Sequence, residues 1–331
     1  MILSRNRMPL HPGSIIPAAI ATAILLLSSG FPVHGDPITV KNTAPLFYGL
    51  NPPWGEGAQP SDRWTLSLSH ASIFQRDRSR EWETGLDMEI TELRLGLRRR
   101  IGKNSELGVD LPILALHAGF MDEMIDAYHN LFGFPDYGRS QYPSYQFLYF
   151  LSSSKAPAVD VDEGSLGLGD IRFSFKQSLD SRHQAVSVML TCELPTGSTE
   201  KGIGNGQVDW ALSVIVDSPR KETCRVTSHI GVTLPGNIKA EQTLPTPPYF
   251  FYALLAEMDL DAKLVAHGDL ILFTSPFESE ILPFFNKNCL LITLGVSYRV
   301  DKHRWDISFM EDLSVSGAPD FTLQLSWTRF L

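Results

Sequence analysis

His70 and Ser72 lie two residues apart in a stretch where apolar and polar residues alternate, Trp64-Thr65-Leu66-Ser67-Leu68-Ser69. In an extended chain residues i and i+2 share a face, so an imidazole would stand beside a hydroxyl. A histidine base beside a serine is the arrangement that activates an acyl-transfer nucleophile. By phase the pair faces the same side as Trp64, Leu66 and Leu68, and no acid or amide in the outward phase of the next strand stands out to orient the imidazole. Polar residues at the rim of an apolar band would look the same. A second set, Asp122, Asp126 and His129, shares one face of the helical-looking stretch Gly119–Gly133, with Phe120, Met124, Tyr128 and Leu131 on another face. Two carboxylates and an imidazole within two turns could hold a divalent metal, although a solvated helix face has the same composition. Gly202-Ile203-Gly204-Asn205-Gly206 has the glycines of a phosphate cradle. Such a cradle needs a helix behind it, and an alternating strand follows, so a loop is expected. No cofactor is expected.

The elements that must position these residues are strands. Alternating segments are predicted at Arg63–Phe74, Gly85–Ile101, Glu106–His117, Leu168–Leu179, Ala185–Leu194, Val208–Asp217, Arg225–Leu234, Phe250–Leu260, Leu264–Phe273, Cys289–Val300, Arg304–Asp312 and Phe321–Leu331. In the second segment the apolar phase slips between Ile90 and Leu93, which predicts a β-bulge. Five short polar links, Gly102–Ser105, Asp180–His183, Ser218–Thr223, Asp261–Lys263 and Asp301–Arg304, alternate with longer connections. Long alternating strands with short turns at one end and long loops at the other are the pattern of a transmembrane antiparallel up-and-down β-barrel. The expected fold is therefore all-β, with about twelve strands and one short helix in a long external loop, 118–166. The short links should be periplasmic. Soluble sandwiches also alternate, but here the strands are long, the loop lengths alternate short and long, and a signal peptide precedes them.

Residues 1–35 contain Arg5 and Arg7, no acid, an apolar run Ile15–Leu27 and small residues before Gly35. They read as a secretory signal peptide, removed near Gly35. Residues 36–62 are expected as an N-terminal periplasmic segment and 63–331 as the barrel. Hydrophobic residues make up 43% of the chain, which suits a barrel whose inward face is polar. Removing two arginines takes the formal charge from −9 to −11, which disfavours nucleic acid as a partner. Cys192, Cys224 and Cys289 have neither disulfide nor metal spacing.

A resemblance rests on particular blocks. They are Phe47-Tyr48-Gly49-Leu50-Asn51-Pro52, Gly119-Phe120-Met121-Asp122, Tyr128-His129-Asn130-Leu131-Phe132-Gly133-Phe134-Pro135, Gly167-Leu168-Gly169-Asp170-Ile171, Leu194-Pro195-Thr196-Gly197, and Glu311-Asp312-Leu313 with Pro319-Asp320. From about Phe47 to the C-terminus the chain resembles the bacterial outer-membrane family of domain of unknown function 3187. The resemblance implies a barrel in the outer membrane of a Gram-negative bacterium, and it carries over no catalytic or ligand residue. Separately, the His70-x-Ser72 pair locally resembles that of outer-membrane lipid hydrolases.

By phase the barrel interior should hold Glu89, Arg94, Arg98, Asp170, Arg172, Lys176, Glu193, Asp209, His229, Glu257, Asp259, His267, Asp269, Arg299 and Asp306. Both signs occur, so these side chains could line a watery path or pair into a polar filling, and small barrels are readily filled. The expected function is passage or binding of a small solute, or a structural membrane role. The alternative is a lipid hydrolase using His70 and Ser72. Expected partners are outer-membrane lipids and the barrel-assembly machinery, the latter through the C-terminal strand.

Overall fold

The computed structural model describes residues 40–45, 55–133, 138–153, 157–179, 185–219, 223–239, 243–277, 287–314 and 317–331. The expected leader and the Phe47–Pro52 block lie outside the described residues. The strands are β1 (Arg63–Arg78), β2 (Trp82–Ile101), β3 (Ser105–His117), β4 (Leu148–Ser153), β5 (Pro157–Val161), β6 (Ser165–Leu168), β7 (Ile171–Leu179), β8 (Ala185–Leu194) and β9 (Asp209–Asp217). They continue as β10 (Cys224–Leu234), β11 (Ile238–Lys239), β12 (Thr243–Leu244), β13 (Tyr249–Asp259), β14 (Leu264–Phe273), β15 (Cys289–Val300), β16 (His303–Asp312) and β17 (Phe321–Phe330). Helix α1 spans Asp122–Phe132.

Among the described residues, twelve of these strands pair antiparallel into a closed ring, β1-β2-β3-β7-β8-β9-β10-β13-β14-β15-β16-β17. Closure comes from β17 against β1, from Arg63↔Phe330 to Ser72↔Phe321. A closed ring leaves no backbone edge in lipid, where each unsatisfied group would cost several kcal/mol. Its outward residues, among them Leu66, Leu93, Leu95, Phe173, Leu190, Leu212, Leu270, Ile307 and Leu325, form an exposed apolar belt. Nothing but lipid would cover such a belt, and the protein is an outer-membrane β-barrel. At the short-turn end Trp327 packs edge-on against Trp64, 4.5 Å between centroids, and stacks on Trp305 at 5.6 Å. Aromatic clusters at this height belong to the girdle of a membrane barrel.

The short turns are local chemistry. Gly102 has φ +67° and Asp301 φ +51° in the turns β2–β3 and β15–β16. In the β13–β14 turn Asp261 Oδ1 accepts the N–H groups of Lys263 at 2.7 Å and Leu264 at 2.8 Å. Those two bonds hold its carboxyl below the usual carboxylate range.

Three features differ from the sequence expectation. The first hairpin is taller, because β1 and β2 stay paired up to Arg78↔Glu83. A short β4–β5 hairpin, unforeseen, continues the wall beyond the end of β3 by pairing with Trp82–Asp87 of β2. The bulge expected between Ile90 and Leu93 is absent, since the β1–β2 register runs without a shift. The apolar series changes face there while the chain keeps its phase. Leu86, Met88 and Ile90 are buried inside the barrel, whereas Leu93, Leu95 and Leu97 face out.

Candidate functional site: a filled lumen and a covered patch of outer wall

The lumen has two tiers. Toward the short turns it is charged. Arg98 grips Asp110 through two bonds, 3.1 and 2.9 Å, and Lys176 reaches Glu106 at 2.9 Å. Glu257 is paired with Arg225, and Asp306 with Arg304 at 3.0 Å. Toward the long loops apolar and charged groups share the interior: Ile73, Leu86, Met88, Ile90, Leu114, Leu151, Phe251 and Leu291 form one buried cluster, while Asp170, Arg172, Glu193 and Asp209 are buried at the long-loop ends of β7, β8 and β9.

The chain's own N-terminal segment fills this space. Val40 and Ala44 belong to the apolar cluster. Lys41 approaches Glu193 at 3.9 Å, and the Asn42 amide donates to Gly317 O at 2.7 Å near the long-loop end. Glu56, 1% exposed, sits in the charged tier. Its carboxylate accepts Arg63 Nη2 at 2.8 Å and Arg98 Nε at 2.9 Å, with Lys176 Nζ at 3.5 Å. Gly57 O accepts Lys176 Nζ at 2.9 Å, and Ala58 N donates to Asp217 at 3.0 Å. Ser61 N bonds Glu106 at 2.6 Å at the threshold of β1. The periplasmic segment expected over 36–62 is corrected for most of its described parts: residues 40–45 and 56–58 lie within the barrel, and Asp62 sits at the short-turn rim beside Arg99 and Arg100. The reason is complementarity, because one acid meets three cations and apolar residues meet an apolar wall.

Of the residues expected to face inward, Arg94, Arg98, Arg172, Lys176, Glu193, Asp209, His229, Glu257, His267, Asp269 and Asp306 are buried on the inward phase, as is Asp170 beside β7. Asp259 and Arg299 share that phase near the short turns, 3.8 Å apart. Several are bonded in pairs: Arg172 to Glu193 at 2.9 Å, His229 Nε2 to Ser213 at 2.8 Å, and His267 to Ser297. Glu89 is the correction. It opposes Ser72 on the outward phase, a consequence of the missing bulge.

Outside the wall, at the long-loop end, Glu89 meets the helix-bearing loop. Its Oε1 accepts Phe120 N at 2.8 Å and Met121 N. Gly119 makes this approach possible, with φ +86° and no room for a Cβ, which would lie 2.1 Å from Glu89 Cδ. Helix α1 therefore docks on the outer wall above the lipid belt. Tyr128 packs edge-on against Phe321 at 5.9 Å, and Arg139 ties the loop down by bonding Asp122 at 2.7 Å, Asp320 and Ser72 at 3.3 Å. Phe120, Met124 and Leu131 remain exposed, Phe120 by 69%.

This geometry answers the two chemical readings of the sequence. His70 and Ser72 do face the same way, but no bond joins them. His70 Nε2 contacts Glu89 at 2.7 Å and Nδ1 contacts Thr91 at 2.8 Å, while Ser72 is buried beneath Arg139. A serine nucleophile needs the base on its own hydroxyl, so the lipid-hydrolase alternative is not supported. Asp122, Asp126 and His129 are not gathered: Asp122 is held by Arg139, and His129 lies 3.8 Å from Glu311.

A family model described as protein of unknown function (DUF3187) matches residues 20–330. No curated protein matches the chain. Among solved structures, the COG4313 outer membrane channel from Pseudomonas putida F1 aligns with a TM-score of 0.56 at 12% identity, covering 82% of this chain and 96% of that one. A NanC porin aligns at 0.45 with 6% identity, covering 80% of this chain and 100% of that one. The P. putida toluene transporter TodX aligns at 0.41 with 8% identity, covering 82% and 90%. At 12% identity the likeness to the first of these shows the fold alone.

Proposed function

The chain belongs to the DUF3187 family of proteins of unknown function, and we propose that within the outer membrane it is a small-solute channel closed by its own N-terminal segment. The observation that carries this reading is the plug: residues 40–45 and 56–58 fill a barrel wall that is continuous around them. A twelve-stranded ring is wider than the roughly eight-stranded barrels that side chains alone fill, so the segment occupies room a solute could otherwise use. The apolar cluster suits the hydrophobic part of a weakly polar solute, and the Arg172–Glu193 pair beside it supplies polar contacts. By the loop-length rule the short turns face the periplasm, so the plug enters β1 from that side. Release of the Glu56 cage would open the path.

The test is solute flux through liposomes carrying the full chain or a variant lacking residues 36–62. The full chain should be nearly silent and the variant should conduct while still migrating as a folded barrel. Equal silence from a folded deletion variant would reject the channel.

A further inference from the structure

We propose that His70, Glu89 and His117 form a binding site for a divalent transition ion of the Zn²⁺ class on the outer wall, beneath the N-terminal end of α1. One ligand atom from each of these residues lies within 4.8 Å of the others, and among the described residues this is the one grouping of its kind. Three neighbouring strands supply them, β1, β2 and β3, and their register sets His70 opposite Thr91 and Glu89 opposite His117. Ligands about 2.0–2.1 Å from a tetrahedral Zn²⁺ stand roughly 3.4 Å apart, so side-chain rotations of about 1 Å would close the site. Two imidazoles and one carboxylate leave the fourth tetrahedral position open, and nitrogen donors select a transition ion over Mg²⁺ or Ca²⁺.

The surroundings are those of a built site. Glu89 Oε1 is engaged by the Phe120 and Met121 N–H groups, which leaves Oε2 directed at His70 Nε2, 2.7 Å away. An ion would replace the proton those two atoms now share. Thr91 Oγ1 lies 2.8 Å from His70 Nδ1 and 3.2 Å from His117 Nε2, so it fixes the ring orientations in the way ligand-supporting hydroxyls and carboxylates do. The Phe120 ring stacks over His70 at 5.0 Å, and the His70 side chain keeps 17% of its surface exposed. Bound metal would clasp the loop to the wall through Glu89. The site takes no part in the proposed lumen path.

The probe is ZnCl₂ titrated calorimetrically into the full chain in detergent, with any affinity tag removed. One equivalent should bind to wild type. His70→Ala, His117→Ala and His117→Gln should each weaken binding at least about tenfold, and His303→Ala, at the opposite end of the barrel, should not. Heat-modifiable migration checks that each variant is folded. A second measurement needs no variant: Zn²⁺ should shield His70 and His117 of wild type from diethyl pyrocarbonate, read by mass spectrometry. No binding by wild type, binding unchanged in the folded histidine variants, or equal modification with and without Zn²⁺ would overturn the proposal.

Discussion

Replacing Glu56 by Gln removes the buried acid that holds the plug against Arg63, Arg98 and Lys176. Removing one partner of a buried ion pair typically costs 3–5 kcal/mol, because the remaining charge is left uncompensated. Here the three cations differ in what they keep. Arg98 retains its bidentate grip on Asp110, and Lys176 retains Glu106 at 2.9 Å and Gly57 O at 2.9 Å. Arg63 retains Ser61 and a longer approach to Glu106 at 4.0 Å. Most of the exposed charge is therefore still compensated, and the low end of the range applies, about 3 kcal/mol. At 1.4 kcal/mol per tenfold, the equilibrium between seated and displaced plug should shift about a hundredfold. The wall should be unaffected, since Glu56 takes no part in a strand ladder. In planar bilayers, Glu56→Gln should raise the open probability by about that factor, with heat-modifiable migration unchanged. A folded variant with wild-type conductance would refute the idea that this cage seals the barrel.

Leu212, 49% exposed on the lipid side of β9, should not tolerate Arg, which costs roughly 2–4 kcal/mol at mid-membrane; loss of folded yield relative to Leu212→Phe measures it. Ser213, next along the strand, is 3% exposed and bonded to His229, so Ser213→Arg should also reduce folded yield, as a charge forced into a filled lumen rather than a watery one. Gly119→Ala should free the loop, because an Ala at φ +86° is strained by about 1–3 kcal/mol and its Cβ would collide with Glu89; faster proteolysis within residues 119–147 of otherwise folded protein is the readout. Deleting Phe321–Leu331 removes the strand that pairs with both β1 and β16, and membrane insertion and heat-modifiable migration should both vanish. In a background lacking the native cysteines, an impermeant thiol reagent on intact cells should label Ser153→Cys and spare Lys302→Cys; the reverse would invert the topology.

The barrel could be read from the chain because lipid imposes a simple rule on it. Every outward residue of a spanning strand must be apolar and every backbone group must be paired, so period-two alternation and turn chemistry betray the strands one by one. Leu212, Val214 and Trp210 show their orientation in the sequence for that reason. The rule holds only where lipid touches the wall. Above the belt, α1 covers the outside and the plug covers the inside, and the alternation of β2 reverses its meaning. There Leu86, Met88 and Ile90 face a buried apolar cluster and Glu89 faces a loop, which the sequence presents as a bulge that the fold does not contain. Gly119, Phe120, Met121, Asp122 and Asp320 stand out as blocks in the sequence, yet their meeting with Glu89 and Arg139 depends on a loop folding back across strands far away in the chain. The plug was hidden for the same reason. Residues 40–45 and 55–62 carry no period of their own, and the site of Glu56 among Arg63, Arg98 and Lys176 exists only once three strands have closed around it. Local alternation set the fold and its membrane; long-range charge pairing and the covering of the wall decided where the site is.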